Sequence, residues 1–207
     1  MRGTLVAAAL VALLASSSSV ASASTALDLV LSARTHEKAN QEELALRRYM
    51  EALSLDPTCD EAYLGLGSLR ARRGDLREAE RVYSVALEHR PQLRDALVAR
   101  SFVRRALGAT PEAIADLLGS AGDTDVGALR TIAAWFGEDG QTPAQLAAWR
   151  KIAVLAEHQR DNVLQAEART MIRALLVLVG TADPVIATSD AGPLRQSLRM
   201  IARRPRP

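Results

Sequence analysis

Three histidines, one cysteine and a glycine-rich run are the residues from which this sequence could build chemistry. His36, His89 and His158 lie far apart, and none has a second ligand three or four residues away, so their spacing does not make a metal site. Gly65-Leu66-Gly67-Ser68 begins like a nucleotide-binding loop. Arg70 stands where the third glycine would be, however, and the run falls inside a helical pattern. The sequence contains no His-Glu-x-x-His, Ser-x-x-Lys, Gly-x-Ser-x-Gly or phosphate loop. Its carboxylates alternate with arginines, as in Arg77-Glu78-Ala79-Glu80-Arg81, which is the pattern of a solvated helix face. These residue types predict binding rather than catalysis, with no cofactor and no metal.

The elements that must carry such a binding surface follow from composition. Apolar residues make up 48% of the 207 and charged residues 24%, ordinary values for a globular chain. Aromatics are only 3%, while Ala, Leu and Arg abound. That mixture favours helix over sheet, so the expected fold class is all-α. The net charge of +2 is a near-balance and does not call for nucleic acid. Lys38 and Lys151 are the only lysines, and so general a bias toward arginine reflects coding composition more than phosphate contacts. Between Arg70 and Arg105 ten arginines face five acidic residues, but the aromatics that would stack bases are missing there.

Residues 1–23 read as a signal peptide: Arg2 is a short positive start, Leu5 to Ala15 an apolar stretch, and Ala21-Ser22-Ala23 a small-residue cleavage site. The apolar stretch is about half of the roughly 20 residues needed to cross a bilayer. No cysteine lies near the cleavage point, which excludes a lipidated N-terminus. The expected location is periplasmic or secreted, with no transmembrane segment after cleavage. Cys59, the single cysteine, leaves either a free thiol or a bridge between two chains.

From Asp60 onward, Tyr63, Leu66, Gly67, Gly74, Ala79, Tyr83, Ala86, Leu87 and Pro91 fall at positions 4, 7, 8, 15, 20, 24, 27, 28 and 32 of a 34-residue period. Ala45, Tyr49, Ala52, Leu53 and Pro57 repeat positions 20 to 32 one period earlier. Leu97, Gly108, Ala113 and Leu117 repeat positions 4, 15, 20 and 24 one period later. A step of 32 adds a degenerate copy through Leu129, Ile132, Ala133, Phe136, Gly140 and Trp149. This spacing resembles the tetratricopeptide repeat (TPR), except that Arg70 holds position 11, where that family usually has an aromatic. Within each copy, Thr58 with Glu61, Asp75 with Glu78, Thr110-Pro111 and Thr142-Pro143 read as helix starts.

The predicted organisation is therefore a signal peptide (1–23) and TPR-like repeats over 24–157, with copies at 26–59, 60–93, 94–124 and 125–157. Residues 158–207 supply a capping helix, a short amphipathic helix at Leu194, Leu198 and Ile201, and a basic tail. The capping helix carries an apolar stripe of Leu164, Ala168, Met171, Leu175 and Leu178. The resemblance implies a right-handed superhelix of antiparallel helix pairs. Its concave groove, lined by the first helix of each repeat, would bind an extended peptide or a partner helix.

In that family positions 2, 5, 9, 12 and 13 face the groove. They correspond here to Leu27, Val30, Arg34, Glu37 and Lys38, then Glu61, Leu64, Ser68, Ala71 and Arg72, then Asp95, Val98, Phe102, Arg105 and Ala106. Arg34, Leu64, Ser68, Arg72, Val98, Phe102 and Arg105 are the candidate partner-binding residues. Five of the seven aromatics fill packing positions, leaving Phe102 and Trp135. Phe102, near Arg34, Arg72 and Arg105, suits an anchor for an acidic peptide, unless a later helix folds back over it. Position 9 lacks the asparagine of the chaperone-tail clamp known in this family. The expected role is an exported scaffold or adaptor for a protein or peptide partner. Two alternatives are a docking arm for a ligand-binding or catalytic domain after about residue 124, and self-association.

Overall fold

The computed structural model describes residues 24–180, so the expected signal peptide, the amphipathic helix around Leu198 and the basic tail lie outside the described residues. Nine helices and no strand occur among the described residues. They are α1 (residues 24–38), α2 (Glu42–Leu55), α3 (Asp60–Arg72), α4 (Leu76–His89), α5 (Arg94–Ala106), α6 (Thr110–Ala121), α7 (Val126–Glu138), α8 (Thr142–Gln159) and α9 (Asn162–Val179). The fold is all-α and TPR-like.

Each helical hairpin turns at repeat position 15, where the chain must enter the left-handed region. Gly74 does so at φ 83°, and the N–H groups of Gly74 and Asp75 close onto the carbonyls of Ala71 and Arg70 at 3.0 Å each. In the first repeat Asn40 takes the same position at φ 56°, an asparagine being the residue that enters this region most readily after glycine. Pro91 follows Arg90, which closes α4 outside the helical region, at φ −136° and ψ 88°, as a residue before proline is biased to do.

The chain divides into two compact units between Leu107 and Gly108, between the two helices of the third repeat. In the first unit Ala26, Val30 and Ala33 of α1 join Ala45, Leu46, Tyr49 and Ala52 of α2 and Ala62, Leu66 and Leu69 of α3 in one core cluster. A second cluster joins Tyr63 of α3, Ala79, Tyr83 and Ala86 of α4, and Leu97 and Val103 of α5. Small residues permit these approaches: Ala33, Gly67 and Ser101, all at position 8, are buried. In the second unit α6 packs on α7, α7 on α8 and α8 on α9, burying Ile114, Leu129, Ile132, Phe136, Ile152 and Ile172.

Several local expectations require correction. Asp75 makes no capping hydrogen bond. Its carboxylate instead accepts from Arg70 at 3.2 Å, the residue that stands at the usual aromatic position. Thr58 turns back to Asp56, so Cys59 becomes the N-cap of α3 and no capping box forms with Glu61. Thr110 and Thr142 are the first helical residues rather than caps. On α9 the buried stripe is rotated: Ile172 and Leu176 are inside, Met171 is half-buried, and Leu178 is exposed. Trp135, which the repeat pattern left open, is a packing residue buried on α7.

Candidate functional site

The 34-residue period places α1, α3 and α5 as the first helices of successive repeats within the first unit, and it sets Arg34, Ser68 and Phe102 at one repeat position. Phe102 is 51% exposed. Arg34 and Arg72 are also exposed, whereas Leu64, Ser68, Val98 and Arg105 are half-buried. Leu64 backs onto the core cluster shared by α3, α4 and α5. Val30, expected on this face, is instead buried between α1 and its neighbours; Leu27, one turn earlier, is exposed.

The residues that the structure brings together most closely surround a carboxylate the sequence did not single out. The Arg72 guanidinium pairs with Glu37 of α1 through Nη2 and Oε2. Its other terminal nitrogen reaches Ser68 Oγ at 3.4 Å, one turn back on α3. The second Glu37 oxygen accepts the Tyr49 hydroxyl of α2 at 2.5 Å. Three helices thus meet at one carboxylate. Opposite charges at positions 12 and 13 of neighbouring repeats were the available signal for this contact.

Electrostatics follow the same geometry. Burial pushes the Tyr49 phenol well above its usual range, and the hydrogen bond and negative charge of Glu37 push it further. Arg34 stands close enough to the same hydroxyl to oppose that rise. Tyr83 is pushed up to about 12 by burial, against the nearby positive charge of Arg72. Arg34, Arg72, Glu37 and the two phenols therefore form one electrostatic neighbourhood.

Most of the basic stretch beyond this face is occupied within the chain. Arg70 pairs with Asp75, Arg73 with Glu43, Arg81 with Glu78, Arg90 with Asp60, and Arg104 with Glu80. Arg100 donates to Ser84 Oγ at 3.0 Å. These pairings accord with a solvated, self-neutralised surface rather than a track for a phosphate backbone.

Cys59 is a free, buried thiol raised by desolvation, which disfavours both reactivity and a bridge to a second chain. Among the described residues no group of three His, Cys, Asp or Glu side chains could hold a metal. No described helix is long and apolar enough to cross a membrane. Arg34 and Arg72 thus bring their guanidinium groups to the Glu37–Tyr49 pair, and Phe102 lies exposed at the repeat position of Arg34 and Ser68.

Among solved structures, the chain is similar to a double mutant of MamA RS-1, at 19% identity and a TM-score of 0.51, over 72% of this chain and 93% of that one. It is likewise similar to MamA residues 41-end from Desulfovibrio magneticus RS-1, at 18% identity and a TM-score of 0.50, over 77% and 98%. YrrB, a TPR protein with an unusual peptide-binding site, aligns at 17% identity and a TM-score of 0.49, over 84% and 92%. At such identities the likeness is one of fold. No family model and no curated protein matches the sequence.

Proposed function

We propose that this protein is an exported scaffold or adaptor of the cell envelope that binds an extended peptide or a partner helix on the face formed by α1, α3 and α5. The observation that carries this reading is Phe102, a large aromatic left 51% exposed at the repeat position shared with Arg34 and Ser68. Aromatic and arginine side chains are the residue types that most often dominate binding energy at interfaces. Half-buried Leu64 and Val98 add an apolar floor, and Arg34, Arg72 and Arg105 favour an acidic ligand. The pattern of residues 1–23 supports export to the periplasm or beyond. The protein acts by binding, without turnover.

The competing reading assigns a separate ligand-binding or catalytic activity to residues after about 124. Continuation of the helical hairpins through α7 and α8 favours the scaffold reading. The test is crosslinked co-purification from native envelope extract with residues 24–207, beside a variant carrying Arg34→Ala, Phe102→Ala and Arg105→Ala. A partner captured by the parent and lost with the equally folded variant supports the face. Capture that survives the three substitutions moves the site elsewhere.

A further inference from the structure

Glu37 holds, from within the chain, the place beside Arg72 that a ligand carboxylate would need. Its side chain is only 18% exposed, whereas that of Arg72 is 52% exposed. One carboxylate oxygen meets Arg72, and the other accepts the Tyr49 hydroxyl at 2.5 Å, with Arg34 beside that hydroxyl. We propose that Glu37 is an internal competitor that sets how strongly this face takes acidic peptides: it engages Arg72 in the unliganded protein, and a carboxylate of an acidic peptide takes over the Arg72 guanidinium on binding. The inference rests on the peptide-binding reading above and names the chemical class of the ligand.

The exchange is feasible because no buried group is stranded by it. When Arg72 turns to the ligand, Glu37 retains the Tyr49 hydroxyl as a donor and keeps Arg34 as a nearby positive charge. Arg72, already half in solvent, changes partner without crossing the core. The swap replaces one guanidinium–carboxylate contact by another and is nearly balanced in free energy. A ligand lacking a carboxylate leaves the internal pair in place and gains nothing from Arg72. Glu37 therefore competes with a ligand carboxylate for Arg72 and restrains the affinity of acidic peptides, while neutral ones are indifferent to it.

The test uses two fluorescein-labelled peptides, four Glu-Leu-Gly repeats and the same peptide with Gln for Glu, and follows anisotropy with the full mature chain. Glu37→Gln keeps an acceptor for Tyr49 while releasing Arg72. It should tighten the acidic peptide by about five-fold at low salt and leave the neutral peptide within about two-fold. Arg72→Gln should weaken the preference for the acidic peptide and abolish the gain that Glu37→Gln gives it.

Equal acidic-peptide affinity in the parent and Glu37→Gln, or weaker affinity in the variant, overturns the role of Glu37. If Phe102→Ala still reduces binding in that case, the peptide-binding reading stands alone. Binding of the acidic peptide by Glu37→Gln but not by the parent supports the inference in its strongest form. If no protein binds either peptide, the inference fails, and capture from native extract decides the wider reading independently.

Discussion

The ring of Tyr49 occupies the volume that a side chain at Gly65 would need: a Cβ added there would lie 2.3 Å from the Tyr49 Cζ. Tyr83 stands in the same relation to Gly67, with its Cε1 2.6 Å from an added Cβ. Tyr49 cannot easily yield, being 1% exposed and held by Glu37 at its hydroxyl. Glycine to alanine in an exposed helix interior stabilises by up to about 1 kcal/mol. Here the sign should reverse, with Gly65→Ala and Gly67→Ala each costing about 1–3 kcal/mol from overpacking. Urea unfolding followed by circular dichroism checks this, and a stabilised Gly65→Ala would show that the ring moves freely.

Positions at which packing dictates residue size were legible in the sequence. Ala45, Ala79 and Ala113 at position 20 are all fully buried, as the repeat requires of the small residue where two helices cross. Contacts chosen by charge were less legible. Arg72 meets Glu37 35 residues away, and the opposite charges at positions 12 and 13 of neighbouring repeats permit that pair without selecting it over Arg72 with another carboxylate. Asp75 looked like a cap because caps are read from local spacing, yet Arg70 takes its carboxylate. On α9, periodicity announced an apolar stripe but could not say which edge meets α8, so Ile172 lies inside and Leu178 outside. The face around Arg34 and Phe102 belongs to the second kind, because the fold asks little of its residues.

The two kinds of helix start should differ in measured cost. Asp161 accepts the N–H groups of Val163 and Leu164 at 3.1 and 2.9 Å, satisfying donors that the first turn of α9 otherwise leaves open. Asp75 holds only a part-exposed pair with Arg70 at the start of α4. Asp161→Ala should therefore cost about 1 kcal/mol, and Asp75→Ala about half of that or less. Thermal unfolding of the two single variants decides it; a larger loss at Asp75 would mean that its carboxylate caps α4 in solution.

Phe102→Ala should separate binding from folding. The side chain is 51% exposed, and its removal leaves Leu97 and Val103, which form the core contact of α5, in place. The expected change in unfolding free energy is within about 0.5 kcal/mol, while partner capture should fall by about ten-fold or more. A destabilisation above about 2 kcal/mol would reassign Phe102 to packing.

Alkaline titration should report the packed phenols directly. All three tyrosines, Tyr49, Tyr63 and Tyr83, are raised above the ordinary value of 10.0, chiefly by burial, and Tyr83 reaches about 12. A group whose pKa is higher in the folded than in the unfolded chain stabilises the fold fully below its unfolded pKa. That contribution is lost as the pH rises through the folded value, so for Tyr83 the loss falls between about pH 10 and 12. The near-ultraviolet tyrosinate signal should consequently stay small at pH 10 and then rise together with loss of helical circular dichroism. Tyr83→Phe keeps the ring against Gly67 but removes the ionisable hydroxyl, so it should move the alkaline unfolding midpoint upward. Ionisation of all three phenols near pH 10 with helicity intact would contradict the burial of Tyr49 and Tyr83 beneath α3.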